Sequence, residues 1–157
     1  MKGGQYTFNH LTAASYTTSF IQHKDPVLAL TNFVKEGNNT ISVDLSASFT
    51  NCIFWSENSI VENEVVVQKE GNSSFDVGFT NCIMKVKTNP ANSTLTAVLL
   101  NQSPEFETID TQKKNFNFRL KDGSPAIDAG IASGISIDLD GKPRPVAQPD
   151  PGCYEKQ

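Results

Sequence analysis

What this sequence has little of narrows it before any motif does. It has no apolar run long enough to cross a bilayer, and its first residues, "MKGGQYTF", lack the apolar stretch of a signal peptide. Lys and Arg never cluster beyond the pair Lys113–Lys114, and 13 basic residues face 17 acidic ones for a net charge of −4. Nucleic acid and membrane insertion are therefore not expected. Three cysteines, Cys52, Cys82 and Cys153, show no CxxC spacing and no nearby histidine, which argues against a zinc site or redox pair and for free thiols packed as small hydrophobes. Walker, G-x-G-x-x-G and G-x-S-x-G patterns and a Ser-His-Asp spacing are missing too. The hydrophobic fraction is 38% and the charged fraction 19%, both low for a globular chain.

Asn, Ser and Thr, numbering 14, 14 and 13 in 157 residues, fill that gap. Such a polar, weakly charged chain suits strands and hydrogen-bonded turns better than amphipathic helices. Runs rich in β-branched and aromatic residues recur at 5–11, 27–34, 40–55, 63–68, 75–86 and 94–100, separated by Gly, Asn, Pro and Ser. The stretch "NPANSTLTAVLLNQ" could pass for a helix, but its Thr and Val content favours strands. An all-β domain is predicted.

One pentapeptide occurs twice: Phe-Thr-Asn-Cys-Ile begins at Phe49 and again at Phe79. Aligning "YTFNHLT" as a third copy puts Asn9, Asn51 and Asn81 in one column, then His10, Cys52 and Cys82, then Leu11, Ile53 and Ile83. Repetition on this scale predicts a solenoid whose passes stack about 4.8 Å apart. Asn suits a left-handed corner between strands and can hydrogen-bond from one level to the next, while a small Cys fits beside the corner. The first interval is read as one coil with a loop at Tyr16 to Lys24 and "VLALTNF" as its second strand.

The segments "GGQYTFNHLTAASY", "VLALTNF", "ASFTNCIFWSEN" and "FTNCIMK" resemble the last coils of right-handed parallel β-helix proteins of Bacteroidetes-type bacteria, which carry repeats of the kind called PbH1. After them, "P-x-F" at Pro104 to Phe106, "N-F-x-L" within Asn117 to Leu120, "GSPAIDAG" at Gly123 to Gly130, "DLDGKPRP" at Asp138 to Pro145 and "DPGCYE" at Asp150 to Glu155 resemble, in order, the segment called choice-of-anchor Q that closes such proteins. Pro151 and Cys153 depart from the usual final element. The resemblance implies a right-handed parallel β-helix, with two to three coils in 1–100 and a closing segment in 101–157 that covers the open end. It also implies the C-terminal part of a larger exported, cell-surface or periplasmic protein, with further coils preceding this chain.

The resemblance implies no particular reaction, because β-helices serve as lyases, hydrolases, adhesins and stalks alike. A lyase site would need a lysine beside acidic residues that hold calcium. Lys85, Lys87, Glu57, Glu62 and Glu64 are the candidates, and a solvated strand face is the simpler reading of them. Asp138 and Asp140 could serve as paired carboxylates or bind calcium, yet "DLDG" reads as a turn whose carboxylates bond backbone amides. Trp55, with Lys85 and Lys87, is the candidate glycan contact, and Tyr16 is a second aromatic that could stack on a sugar. His10 is read as a packed corner residue and His23 as an exposed loop residue. No catalytic residue is assigned. A structural or glycan-binding module is expected, and the alternative is part of a polysaccharide lyase or glycoside hydrolase whose site lies mainly in preceding coils.

Overall fold

The computed structural model describes residues 1–18, 20–57 and 60–157. A first pass of the chain forms β1 (Gly4–Asn9), β2 (Thr12–Tyr16) and β3 (Leu28–Thr31), followed by an antiparallel hairpin of β4 (Phe33–Glu36) and β5 (Asn39–Ser42). A second pass forms β6 (Leu45–Thr50), β7 (Ile53–Glu57) and β8 (Val65–Gln68), and a third forms β9 (Phe75–Thr80) and β10 (Ile83–Met84). After β11 (Thr94–Thr96) and β12 (Leu99–Leu100) the chain ends its passes and forms an antiparallel hairpin, β13 (Phe106–Asp110) and β14 (Asn115–Leu120). The described residues contain no helix.

Strands of successive passes pair in parallel. Sheet one runs β1-β6-β9-β11, sheet two runs β2-β7-β10-β12, and sheet three holds β3 and β8. The first two passes thus visit three parallel sheets in turn, and the later strands β9 to β12 continue the first two of them. Alternation within each strand explains which face turns in: Leu45, Ala47 and Phe49 are buried, whereas Ser48 between them is exposed. Register stacks like on like, so Phe8, Phe49, Phe79 and Leu95 form one interior column. Ring centroids lie 5.1 Å apart from Phe8 to Phe49 and 4.9 Å from Phe49 to Phe79, near the spacing of the strands that carry them. Phe54 of sheet two meets Phe49 and Phe79 edge-on and closes the core from the side.

The first and second sheets meet at a two-residue corner that turns on one left-handed residue. His10, Asn51 and Asn81 take positive φ angles of 53°, 54° and 51°, and Ala97 repeats the turn at 50°. The corner column is therefore His10, Asn51, Asn81 and Ala97, not Asn9 with the two asparagines: Asn9 pairs with Thr50, one position earlier. The correction follows from conformation, since it is the left-handed residue that must align, and histidine enters that region more readily than most side chains. Cys52 and Cys82 then stand over Leu11, both thiols free, with the Cys52 amide donating to Cys82 Sγ at 3.4 Å. Hydrogen bonding with Cys52 and burial push the Cys82 thiol well above its ordinary pKa, which suits a packing role.

"VLALTNF" supplies the third strand of the first pass rather than the second, because the corner at His10 splits the opening run and lets β2 form. The extra length of that pass lies in 17–27 and in the hairpin β4–β5. Asn32, fully buried after β3, exchanges two 2.9 Å hydrogen bonds with the backbone of Glu70 and ties the first pass to the second.

Phe49 has no exposed surface and is stacked on both sides, whereas Phe8 at the edge is only half-buried. Phe49→Ala is expected to lower unfolding free energy by about 4 kcal/mol and Phe8→Ala by distinctly less. Urea unfolding followed by tryptophan fluorescence measures both, and equal losses would refute the stacked column.

Candidate functional site

Sheet two is apolar on both faces. In β7 the consecutive residues Ile53, Phe54 and Trp55 are all buried, so Phe54 points inward while Ile53 and Trp55 point out. That outer face is covered by 101–157: Ile53, Trp55 and Ile83 pack with Phe106, Leu120 and Ala126. Tyr16 joins them beside Phe106 and Phe118. The expected cover for an open end is therefore a cover for a side, since an apolar outer face buries more surface against the segment than a strand edge offers. β11 and β12 remain the last strands of their sheets.

The corner residues hold this segment in place. Asn81 Nδ2 donates to Ala129 O at 2.8 Å. Asn51 Nδ2 donates to Ile131 O at 2.7 Å, and its Oδ1 accepts the Ile131 amide at 2.9 Å. The asparagine amides thus bond the closing segment, and the expected bond between levels is present once, from Asn51 Nδ2 to His10 Nε2. Gly130 is required at this approach, because a Cβ there would lie 2.3 Å from Pro149 O and 3.0 Å from Asn51 Oδ1. The return limb binds the same corner through the Gly152 amide to Asn51 O at 2.8 Å and the Cys153 amide to Thr12 Oγ1 at 3.1 Å.

His10 sits where the two limbs and the corner meet. Its Nδ1 lies 3.1 Å from Asp150 O, a carbonyl that can only accept, so Nδ1 carries the proton. Nε2 then accepts from Ser133 Oγ at 2.9 Å and Asn51 Nδ2 at 3.1 Å. Burial, assisted by the charge of Arg144, lowers the His10 pKa to about 4 and keeps the ring neutral.

Behind His10 lies a buried charge network assembled from the motifs of the closing segment. Arg144 Nη1 donates to Glu155 Oε2 at 2.7 Å and Nη2 donates to Gly152 O at 2.9 Å. Burial, and next the charge of Asp150, push Glu155 up to about 7 despite the guanidinium beside it. Asp150 accepts the amides of Asp128 and Lys156, both at 2.7 Å, and burial raises its pKa. Burial alone would raise Asp138 as well, but the amides of Glu155, Lys142 and Asp140 donate to its carboxylate and hold it below the usual range. Asp140 is paired with Arg119, whose Nε donates at 2.8 Å. Asp138 and Asp140 are thus occupied in holding the turn and a neighbouring strand.

Next to this network a groove of about 550 Å³ opens between Phe8 to Thr12 on one side and Ile135, Ile137 and Leu139 on the other, with Asp138, Arg144 and Cys153 at its rim. It gathers the buried ionisable groups of His10, Asp138 and Arg144, and its walls are mainly apolar.

Of the residues singled out in the sequence, His10 and Asp138 line this groove, whereas the candidate glycan and lyase residues lie elsewhere. Trp55 is only 5% exposed under the closing segment, with Lys85 Nζ 5.6 Å above its ring, so it cannot receive a sugar face. Lys85 Nζ donates to Ser56 O at 2.8 Å, and Lys87 pairs with Glu62 at 2.6 Å on the surface. Glu64, read as exposed, is fully buried: it accepts the Val27 amide at 3.1 Å and the hydroxyl of Ser56 and lies 3.2 Å from His23 Nε2. His23 is therefore a partner of Glu64 rather than a free loop residue. The network of Arg144, Asp150 and Glu155 was missed, although charged residues set among Pro and Gly in "GKPRP" and "PDPGCYE" are a signal for it.

A neutral His10 makes the corner acid-sensitive. Between pH 6.5 and 4 the unfolded chain binds a proton that the folded histidine refuses, so this contribution to stability is present above pH 6.5 and is lost as pH falls. His10→Asn, which keeps a residue suited to the left-handed corner, should remove that loss. The stability advantage of the parent over the variant is expected to shrink from pH 7 to pH 5 in urea titrations, and a constant difference would contradict the assignment. No family model, curated protein or solved structure matches this chain.

Proposed function

We propose that this chain is a right-handed parallel β-helix module with a structural rather than catalytic role, forming the C-terminal part of a larger exported protein of the cell surface. The observation that carries the reading is the parallel stacking of successive passes in constant register, over three sheets in the first two passes and two thereafter, with a left-handed corner at the same place each time. Each pass is then one rung, and the closing segment is a strap along the helix. The resemblance of 104–155 to closing segments of exported β-helix proteins supports the setting. A structural role is supported by the chemistry of the groove, where each buried ionisable group is bonded to the strap's own backbone or to a partner within it. A lyase or hydrolase site in preceding coils is the alternative.

Glycan binding is a second reading, favoured by one surface. The outer face of sheet one carries Thr7 and Ser48, Asn9 and Thr50, and then Thr80, Thr94 and Thr96, with Thr7, Asn9, Ser48, Thr94 and Thr96 exposed. Rows of hydroxyls spaced by the rungs can hydrogen-bond an extended sugar chain.

Incubation with acidic and neutral polysaccharides, followed by absorbance of unsaturated sugar and by calorimetric titration, separates these readings. The structural reading expects neither product nor saturable binding. Saturable binding abolished by Thr50→Val with Thr80→Val would move the assignment to the hydroxyl face, and release of unsaturated sugar would overturn the structural role.

A further inference from the structure

The strap climbs the corner by two residues per rung. Ala129 meets Asn81 on the third rung, Ile131 meets Asn51 on the second and Ser133 meets His10 on the first. Continued at the same step, Ile135 and Ile137 reach a level beyond β1 and β2. There the strap turns back, with Ile137 paired to Pro143 and the Arg144 amide donating to Ser136 O at 2.9 Å.

A second part of the chain reaches the same level on another side. Lys2 lies parallel to Thr31 of β3, the Thr31 amide donates to Met1 O at 2.9 Å, and the Met1 amino group donates to Ala29 O at 2.7 Å. Sheet three and the strap therefore both extend one rung past β1 and β2, which stand first in sheets one and two. The groove lies over Phe8 to Thr12, against the strap. Ile135, Ile137 and Leu139, spaced two apart, all line it and remain 46%, 57% and 73% exposed. Side chains at this spacing share one face of an extended segment, so their exposure is a common apolar surface without a cover.

We propose that 131–146 is a clasp for the corner of one further strand–corner–strand rung, carried by the same polypeptide and stacked in parallel on β1 and β2. This rests on the β-helix reading above and names what occupies its open side. The ladder sets the chemistry of the occupant: an apolar residue over Phe8, a left-handed corner residue beside His10, and a small apolar residue over Leu11. The same polypeptide is taken as the source because Met1 and Lys2 already lie beside β3, bridged to Thr31, where the last strand of that rung would run. A second copy of the chain would instead present the exposed corner at Ala97.

The test lengthens the chain by one rung. Register equates Met1 with Val67, so a copy of residues 45–66 is fused ahead of Met1. Ile137→Cys, made with Cys153→Ala in both the extended and unextended chains, reports on the clasp by its rate of alkylation, and hydrogen exchange reports on the added segment. Protection of the added strands together with alkylation slowed about tenfold or more is the expected result. Protected strands with unchanged alkylation would overturn the clasp and leave the β-helix standing. An unprotected added segment would overturn the β-helix reading itself. Slow alkylation in the unextended chain that deepens with protein concentration would place a second copy in the groove and overturn the choice of occupant.

Discussion

Between the first and second sheets the chain turns through a single residue in the left-handed conformation, and this turn recurs at His10, Asn51, Asn81 and Ala97. Most side chains resist that conformation by about 1 kcal/mol or more, so the residues found there are those that tolerate it or gain something from it. A turn that short keeps β1, β6, β9 and β11 in one register and brings β2, β7, β10 and β12 into another. The phenylalanine column and the cysteine pair are consequences of that alignment. They need only the alternation of faces once the corners are superposed.

The corner also leaves polar side chains pointing outward at regular intervals, and the closing segment uses them. Asn51 and Asn81 satisfy strap backbone that would otherwise lack partners, and Gly130 and Gly152 permit the approach. The apolar outer face of Ile53 and Trp55 supplies the burial that the corner bonds alone do not. Arg144, Asp138 and Glu155 then tie the two limbs of the strap together, an arrangement in which removing one charge would leave another buried without its partner. Such a network fixes one path for a segment that has little regular secondary structure.

The strand runs, the absence of helix and the repeated corner were legible in the sequence because alternation and self-similarity are local signals. Three features were not. The shift of the first corner from Asn9 to His10 turns on a backbone angle, and both residues tolerate it. The burial of Trp55 and Glu64 depends on contacts with residues distant in the chain, Phe106 and Val27 among them. The groove beside His10 exists only where Ile135 to Leu139 returns to the first strand, a separation that no spacing rule spans. The motifs of the closing segment pointed to a unit, but its position along the side follows from the two-faced β7, whose pattern of consecutive apolar residues is the one local hint.

The central claim is that corner and strap form one cooperative structure. Native-state hydrogen exchange tests it most directly, at the amides of Gly130, Ile131 and Gly152 in the strap and of Asn51, Ile53 and Ile83 in the ladder. The account predicts that both groups exchange with the same free energy of opening and respond equally to added urea, as parts of one unfolding unit. Strap amides that exchange much faster, with little dependence on urea, would show a segment that opens on its own and would contradict the claim.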